Sequence, residues 1–253
     1  MSWLRALRYA RRYRNWRELA RERAASREPG RVVLRSGLVF EAPADTNVLR
    51  VVNGVFFKRY YTRGPIGDVG PGDAVLDVGA NVGAFAVYAA LRTRGPVLAV
   101  EPFPANLACL ERNLRGNGCG QVRVVACALA ERDASARLTV YESGVRHSLA
   151  PSGARATAAG VEVRTRSLPS LLDEHGLERV DFLKLDCEGA EGLALPATPE
   201  PYLRRLRRVA LEFHDDLSPV RHEELERLLA ASGMSTRLEW DGHATRGFLF
   251  AWR

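Results

Sequence analysis

From residue 74 onward, short apolar runs alternate with segments in which apolar residues recur every three or four positions. The first pattern is typical of buried strands and the second of amphipathic helices. Strands are predicted over 74–79, 96–101, 122–127, 180–186 and 209–214, with further strand candidates at 137–141 and 161–166. Helices are predicted over 82–92, 104–117, 168–175 and 217–232. Two final strands, 235–240 and 246–252, have no helix between them. The pattern predicts an α/β fold with a mostly parallel seven-stranded sheet and an antiparallel edge hairpin.

The N-terminal third follows a different pattern. Residues 3–25 are predicted to form one arginine-rich helix, and two hairpins are predicted over 31–41 and 48–61, the second around Asn53-Gly54. We therefore divide the chain into a basic amphipathic helix over 1–30, a β extension over 31–70 and an α/β domain over 71–253. A further segment, 142–160, is rich in Gly, Ser and Ala and is predicted to be a mobile loop.

The net charge of +7 is concentrated at the N-terminus. Residues 1–28 contain nine arginines and three glutamates, a net +6, which leaves about +1 for the rest. A neutral body argues against a nucleic-acid partner. The N-terminal helix has three alternative roles: docking on this domain or on a second subunit in a homo-oligomer, contact with an anionic membrane, or nucleic-acid binding. We favour docking, which would bury Trp3, Leu7 and Trp16.

The four cysteines show no CxxC pair and no zinc-site spacing, which favours free thiols in a reducing compartment. No apolar run reaches the ~18 residues of a membrane span, and the first residues lack the apolar core of a secretory signal. These features predict a cytoplasmic protein.

The first strand of the α/β region runs into a glycine-containing turn, Asp77-Val78-Gly79-Ala80-Asn81-Val82-Gly83. Ligands of such sheets bind at the carboxyl ends of the strands. The turn lacks the G-x-G-x-x-G spacing with which nicotinamide enzymes hold a pyrophosphate. Glu101 ends the second strand, where a carboxylate can accept both hydroxyls of a ribose. The turn alone is equally compatible with an ordinary strand–helix connection around a buried aspartate.

Four motifs in this order are similar to those of the FkbM family of S-adenosylmethionine-dependent methyltransferases: LDVGANVGAF, VEPFPANLACLERNL, FLKLDCEGAE and LEFH. The resemblance covers about residues 31–215. It implies a Rossmann-like methyltransferase fold, S-adenosylmethionine as cofactor and, most often, transfer to a hydroxyl oxygen. It also implies a cofactor site: Asp77, Gly79, Asn81 and Gly83 at the methionine end, Glu101 at the ribose, Pro102 and Phe103 beside the adenine, and Ala128 at the ring edge.

Catalytic groups are expected at the carboxyl ends of the fourth and fifth strands. Lys184 and Asp186 share one face of a predicted strand, as do Glu212 and His214. His214 is the first candidate for a general base, because an unperturbed histidine is largely neutral at pH ~7.5. Lys184 needs a carboxylate partner, either Asp186 or Glu188, and a structural ion pair is as plausible as a catalytic role. His147, Ser148, Glu188 and Glu212 are candidates for substrate binding.

A carboxylate cluster of Asp186, Glu188 and Glu191 could bind a hard cation, but with Lys184 nearby we expect no metal. We expect O-methylation of a small-molecule hydroxyl, on a secondary metabolite, sugar or polyketide. N-methylation is the nearest alternative. An NAD(P)-dependent oxidoreductase and a noncatalytic S-adenosylmethionine-binding module are more distant ones.

Overall fold

The structure is a computed structural model, and it describes residues 3–44, 46–141, 147–148 and 156–253. The helices are α1 (Trp3–Arg12), α2 (Trp16–Ala24), α3 (Val48–Val52), α4 (Ala84–Ala90), α5 (Pro104–Gly116), α6 (Leu168–Glu174), α7 (Glu191–Ala194), α8 (Glu200–Leu203) and α9 (His222–Ala231). The strands are β1 (Arg31–Val33), β2 (Val39–Glu41), β3 (Val75–Val78), β4 (Val97–Val100), β5 (Arg123–Val125), β6 (Ala128–Leu129), β7 (Ala134–Tyr141), β8 (His147–Ser148), β9 (Ala156–Arg166), β10 (Phe182–Leu185), β11 (Arg208–His214), β12 (Ser235–His243) and β13 (Arg246–Trp252).

The central sheet has seven strands in the order β12-β13-β11-β10-β3-β4-β5. The pairs from β11 to β5 are parallel, whereas β13 is antiparallel to both β11 and β12. All residues of β3, β4 and β10 are buried, as expected for parallel strands with both faces covered. The predicted fold class and its edge hairpin are confirmed.

A second, four-stranded sheet in the order β6-β9-β7-β8 follows the first half of the central sheet. Its long strands β7 and β9 contain the predicted strand candidates at 137–141 and 161–166 but begin earlier. The predicted loop over 142–160 is therefore wrong at 147–148 and 156–160, which lie in strands. The rest of that prediction falls outside the described residues.

The N-terminal segment forms two helices rather than the single predicted one. The break lies at Tyr13, which forms an isolated antiparallel bridge with Leu34. The Asn15 side chain accepts a hydrogen bond from the Val33 amide at 2.9 Å. Backbone pairing with the β1–β2 hairpin thus replaces the helical hydrogen bonds at this point.

The predicted hairpin over 48–61 is wrong, because this segment is helical. Asn47 caps α3, its side chain accepting a hydrogen bond from the Arg50 amide at 2.8 Å. A π-helical turn, Asn53–Phe57, follows directly. The buried apolar side chains of these two helical elements are Val48, Leu49, Val52 and Val55, which is a helical spacing. Tertiary burial of this face therefore overrides the β preference of valine and the turn signal of Asn53-Gly54.

The N-terminal elements share one hydrophobic core with α4 and α5. Tyr13 and Leu19 are fully buried in that core, and Tyr9 is nearly so. Leu7, by contrast, is 46% exposed, so docking on this domain does not bury it as predicted. Trp16 is partly buried against the same core. In the described part of the chain, no helix is long and apolar enough to cross a membrane.

Candidate active site

Two adjoining cavities open at the carboxyl ends of the central strands. The first cavity lies between the β3–α4 turn, the end of β4 and the segment after β10. It is lined by Val78, Gly79, Asn81, Val100, Glu101, Pro102, Asn106, Cys127, Ala128, Leu129, Leu138, Asp186, Cys187, Glu188 and Ala190. Five of the predicted cofactor-binding residues therefore lie in one wall: Gly79, Asn81, Glu101, Pro102 and Ala128.

The β3–α4 turn depends on backbone conformations that few residues adopt. Gly79 has a φ of 71°, and a Cβ atom there would lie 1.8 Å from the Asp186 carbonyl oxygen. Only glycine fits this close approach of the β3 and β10 ends. Asn81 also has a positive φ, 51°, in the region that asparagine tolerates best among non-glycine residues. The turn is thereby held in a shape that opens its backbone to the cavity.

Glu101 links this turn to the end of β4. Its carboxylate accepts hydrogen bonds from the Asn81 amide at 2.8 Å and the Phe103 amide at 3.0 Å. Burial raises the pKa of Glu101, and these backbone hydrogen bonds counteract part of that effect. The amide oxygen of Asn106, also in the cavity wall, is buried and has no hydrogen-bond partner among the described residues. The cavity therefore offers polar groups that a bound nucleoside could satisfy.

Asp77 does not lie where the sequence analysis expected it. Its side chain is completely buried and forms an ion pair with Lys184, the Asp77 Oδ1 to Lys184 Nζ distance being 3.1 Å. Lys184 also donates to the Gly79 carbonyl oxygen at 2.6 Å. Burial disfavours its ammonium, but Asp77 and Asp186 outweigh this and raise the pKa of Lys184. The partner expected for Lys184 was Asp186 or Glu188; the shorter ion pair is with Asp77, which holds the ends of β3 and β10 together.

Two further residues that were predicted to bind the cofactor, Gly83 and Phe103, do not line the first cavity. Gly83 has a φ of 84°, and a Cβ there would meet the Leu110 side chain at 2.5 Å. Its role in the structure is thus the close packing of the α4 start against α5. Phe103 packs with Ala128 and Leu138, both of which line the cavity.

The second cavity, of about 590 Å³, adjoins the first through shared wall residues: Gly79, Asn81, Asp186 and Glu188. Its other walls come from two elements outside the central motifs. The N-terminal segment contributes Asn47, Arg50, Val51, Gly54, Val55, Tyr60 and Tyr61, and the β12–β13 hairpin contributes Asp241, His243, Arg246 and Phe248. Ala80, Phe85, Lys184 and Glu212 complete the lining.

A cluster of carboxylates lies at the junction of the two cavities. Asp186 Oδ2 accepts a hydrogen bond from the Tyr61 hydroxyl at 2.7 Å, and Glu212 Oε2 lies 3.3 Å from the same hydroxyl. Burial and the nearby charge of Asp186 raise the pKa of Glu212 to about 8. Arg246 lies 3.5 Å from Glu212. Asp186 and Glu212, which were expected at the carboxyl ends of the fourth and fifth strands, thus lie near the same hydroxyl.

His214 does not have the properties expected of a general base. It is only 2% exposed and lines neither cavity. Its ring nitrogens lie 3.6 Å from Glu191 and 3.6 Å from Glu188. Burial lowers its pKa, but these carboxylates and Asp186 outweigh burial and raise the pKa of His214 to about 10. The ring is therefore charged at neutral pH and cannot accept a proton, so the expectation of a neutral histidine was wrong.

The donor atoms of Asp186, Glu212 and His214 lie within 4.8 Å of one another. This is a different set from the carboxylate cluster of the sequence analysis. An imidazolium is not a metal ligand, and Lys184 lies 4.0 Å from Asp186. The positive charges of Lys184, His214 and Arg246 thus neutralise the same carboxylates that would attract a cation.

The sequence analysis missed most of the second cavity. Tyr60 and Tyr61 lie at the end of the segment over 48–61 that was predicted to be a hairpin, and Arg246 lies in the terminal hairpin. A helical spacing of buried valines, beginning after the capping Asn47, was the available signal. For His147 and Ser148 the structure describes the backbone but not the side chains, so their role in substrate binding stays a prediction.

A model of the Methyltransferase FkbM domain matches residues 77–235, more than half of the chain. The chain belongs to the FkbM methyltransferase family. Its fold is that of class I methyltransferases, and its cofactor is S-adenosylmethionine. The FkbM resemblance found in the motifs is thereby confirmed, as is the cofactor.

Several relatives have similar sequences. The AMB antimetabolite synthetase AmbE of Pseudomonas aeruginosa is 30% identical over 231 residues, but the match covers 76% of this chain and only 11% of AmbE. The 31-O-demethyl-FK506 methyltransferase FkbM of Streptomyces tacrolimicus is 29% identical, with 64% of this chain and 72% of the relative covered. The crystal structure of an FkbM methyltransferase from Methylobacillus flagellatus has a TM-score of 0.53 at 16% identity, covering 79% of this chain and 48% of that one. This structural match shows a shared fold.

Proposed function

We propose that this FkbM methyltransferase methylates a hydroxyl oxygen on a small molecule. The observation that carries the proposal is the junction of the two cavities. A cofactor in the first cavity and an acceptor in the second would meet beside Asp186, which lines both. The cofactor supplies an electrophilic methyl group, so the protein must align the acceptor and receive its proton.

Asp186 is the proposed proton acceptor. Its side chain retains 26% exposure at the junction, whereas that of His214 is buried behind it. The Lys184 ammonium lies 4.0 Å away. When the acceptor oxygen attacks the methyl carbon, the sulfur–methyl bond of the cofactor would break, S-adenosylhomocysteine would leave, and the hydroxyl proton would pass to the Asp186 carboxylate. Asp186 takes over the role first expected of His214.

The size and lining of the second cavity support a small-molecule acceptor. About 590 Å³ lies within the range of ordinary small-molecule sites, roughly 300–1,000 Å³. Tyr60, Phe85 and Phe248 provide apolar walls, and Arg50, His243 and Arg246 provide donors. The name of the Streptomyces relative, a 31-O-demethyl-FK506 methyltransferase, describes transfer to an oxygen of a small molecule.

One observation favours N-methylation as a second candidate. The carboxylates of Asp186 and Glu188 lie together in the wall of the second cavity, and such a pair would attract a protonated amine. An amine acceptor would still need to lose a proton before transfer, and Asp186 could receive it. The two candidates therefore share a site and differ in the acceptor.

Matched alcohols and amines distinguish them. The full chain is incubated with methyl-tritiated S-adenosylmethionine and either phenol, aniline, cyclohexanol or cyclohexylamine at equal concentration and at several pH values. We expect label in the methyl ethers of the alcohols. Transfer to the amines alone would replace O-methylation by N-methylation as the proposed function.

A further inference from the structure

Tyr61 reaches the junction from outside the region that the family model matches. It follows the π-helical turn of the N-terminal segment, whereas the matched region begins at residue 77. Its ring packs edge-on against Phe85 and Phe248, with centroid distances of 5.6 and 5.9 Å. Only 7% of the residue is exposed. The ring is thus fixed by packing, and its hydroxyl is aimed at the carboxylates.

The hydroxyl is a permanent donor. Burial, Asp186 and Glu212 raise the pKa of Tyr61 well above its usual value, so the proton stays on the oxygen. The single proton is directed at Asp186 Oδ2, 2.7 Å away, rather than at Glu212, 3.3 Å away. A hydrogen bond to a carboxylate favours its charged form.

Several charged or titratable groups surround Asp186 and affect its charge. They come from β3, β10, the segment after β10, and β11, and they are Asp77, Lys184, Cys187, Glu188, Glu212 and His214. Most are acids that oppose a further negative charge, and Lys184 and His214 are the cations. Tyr61 is the neutral donor that holds one oxygen of Asp186 directly.

We propose that Tyr61 is a positioning residue for proton removal. Its hydroxyl holds Asp186 Oδ2 in place, which leaves the other oxygen for the acceptor hydroxyl. The proposal rests on the proposed function of Asp186. It assigns a role in the reaction to the N-terminal segment, which therefore supplies more than a wall of the acceptor cavity.

The test uses the full chain with S-adenosylhomocysteine bound and 13C-labelled aspartate carboxyl groups. The Asp186 signal is identified by its loss in Asp186→Asn, and its pH midpoint is measured by NMR. In Tyr61→Phe we expect this midpoint to rise by about one pH unit, since one hydrogen bond to a charged group is lost. Tyr202→Phe is the matched control, because Tyr202 donates to Asp173 on the surface away from both cavities. An unchanged midpoint in Tyr61→Phe would overturn the proposal.

A second measurement needs no variant at Tyr61. In the wild-type protein, exchange of the hydroxyl proton for deuterium should shift the Asp186 carboxyl signal, and absence of that isotope shift would also count against the proposal.

The proposed function is tested separately by the turnover of Asp186→Asn. If Asp186→Asn keeps full turnover, Asp186 is not the proton acceptor, whether or not Tyr61 is hydrogen-bonded to it. If Asp186→Asn is inactive but the pH midpoint of the Asp186 signal is unchanged in Tyr61→Phe, only the role of Tyr61 is excluded.

Discussion

At the scale of single residues, the site is governed by which charges are buried together. Asp77 and Lys184 neutralise each other at the β3–β10 junction, and His214 is charged because Glu188 and Glu191 surround it. Asp186 and Glu188 are the carboxylates of this group that line both cavities.

Replacing Glu101 with glutamine should weaken the binding of S-adenosylmethionine. The variant keeps the size of the side chain but removes its charge, and with it the charge-assisted hydrogen bonds to the ribose. Each such bond contributes ~1.5–3 kcal/mol, so the dissociation constant should rise roughly 10- to 100-fold for each one lost. Titration calorimetry measures it, with Glu131→Gln on the exposed surface as control. Equal affinities of Glu101→Gln and wild type would contradict the ribose assignment.

His214 should make the protein less stable at alkaline pH. A histidine whose folded pKa is raised, here to about 10 from an ordinary 6.5, stabilises the folded state fully below pH 6.5. This contribution is lost as the pH rises through about 10. In urea unfolding at pH 6, 8 and 10, the wild type should therefore lose more stability with rising pH than His214→Gln. Parallel pH dependences of the two proteins would show that the ring is not charged.

At the scale of elements, the end of α1 supports the wall of the second cavity. Arg12 donates to the Asn53 side chain at 2.9 Å and lies over the Phe57 ring at 4.5 Å. Tyr13 also contacts Phe57, edge-on, at a centroid distance of 5.7 Å. Both contacts hold the π-helical turn, a feature frequent at functional sites. From this π-helical turn the chain continues to Tyr60 and Tyr61.

Replacing Arg12 with alanine should therefore affect the acceptor more than the cofactor. Loss of the hydrogen bond and of the contact with the Phe57 ring loosens the π-helical turn, at a cost of about 1–2 kcal/mol. We expect a roughly 2- to 10-fold rise in the acceptor KM with an unchanged dissociation constant for S-adenosylmethionine. Arg11→Ala, an exposed change on the same helix, is the control. If Arg12→Ala and Arg11→Ala have the same KM, this support has no functional role.

Sequence patterns could predict the central sheet because each of its buried strands is a local apolar run. Glu101 and the Gly79–Asn81 turn could also be predicted, since they belong to one contiguous stretch of chain on either side of α4. The Asp77–Lys184 pair could not, because it depends on β3 lying beside β10. The shifted pKa of His214 likewise depends on Glu188 and Glu191 folding back onto it.

At the scale of the whole molecule, the active site joins segments from both ends of the chain. The family motifs supply the first cavity and the junction, whereas residues 47–61 and the β12–β13 hairpin complete the second. The parts of the chain outside the region matched by the family model thus supply most of the lining of the second cavity.

Positive charges around the junction predict a reaction that does not depend on an added metal ion. Lys184 and Arg246 lie 4.0 Å from Asp186 and 3.5 Å from Glu212, respectively, and His214 carries a proton at neutral pH. Methyl transfer should therefore proceed at an unchanged rate after dialysis against EDTA. A loss of turnover that magnesium restores would instead make Asp186 and its neighbours ligands.

The central claim is that methyl transfer occurs at the cavity junction with Asp186 receiving the proton. Its most direct test is the turnover of Asp186→Asn at saturating S-adenosylmethionine, with phenol or cyclohexanol as acceptor. Asp173→Asn, at an exposed carboxylate away from both cavities, is the matched control. We predict that Asp186→Asn lowers turnover by ~10²–10⁴ while its affinity for S-adenosylmethionine stays near that of wild type. Wild-type turnover in Asp186→Asn would contradict the account.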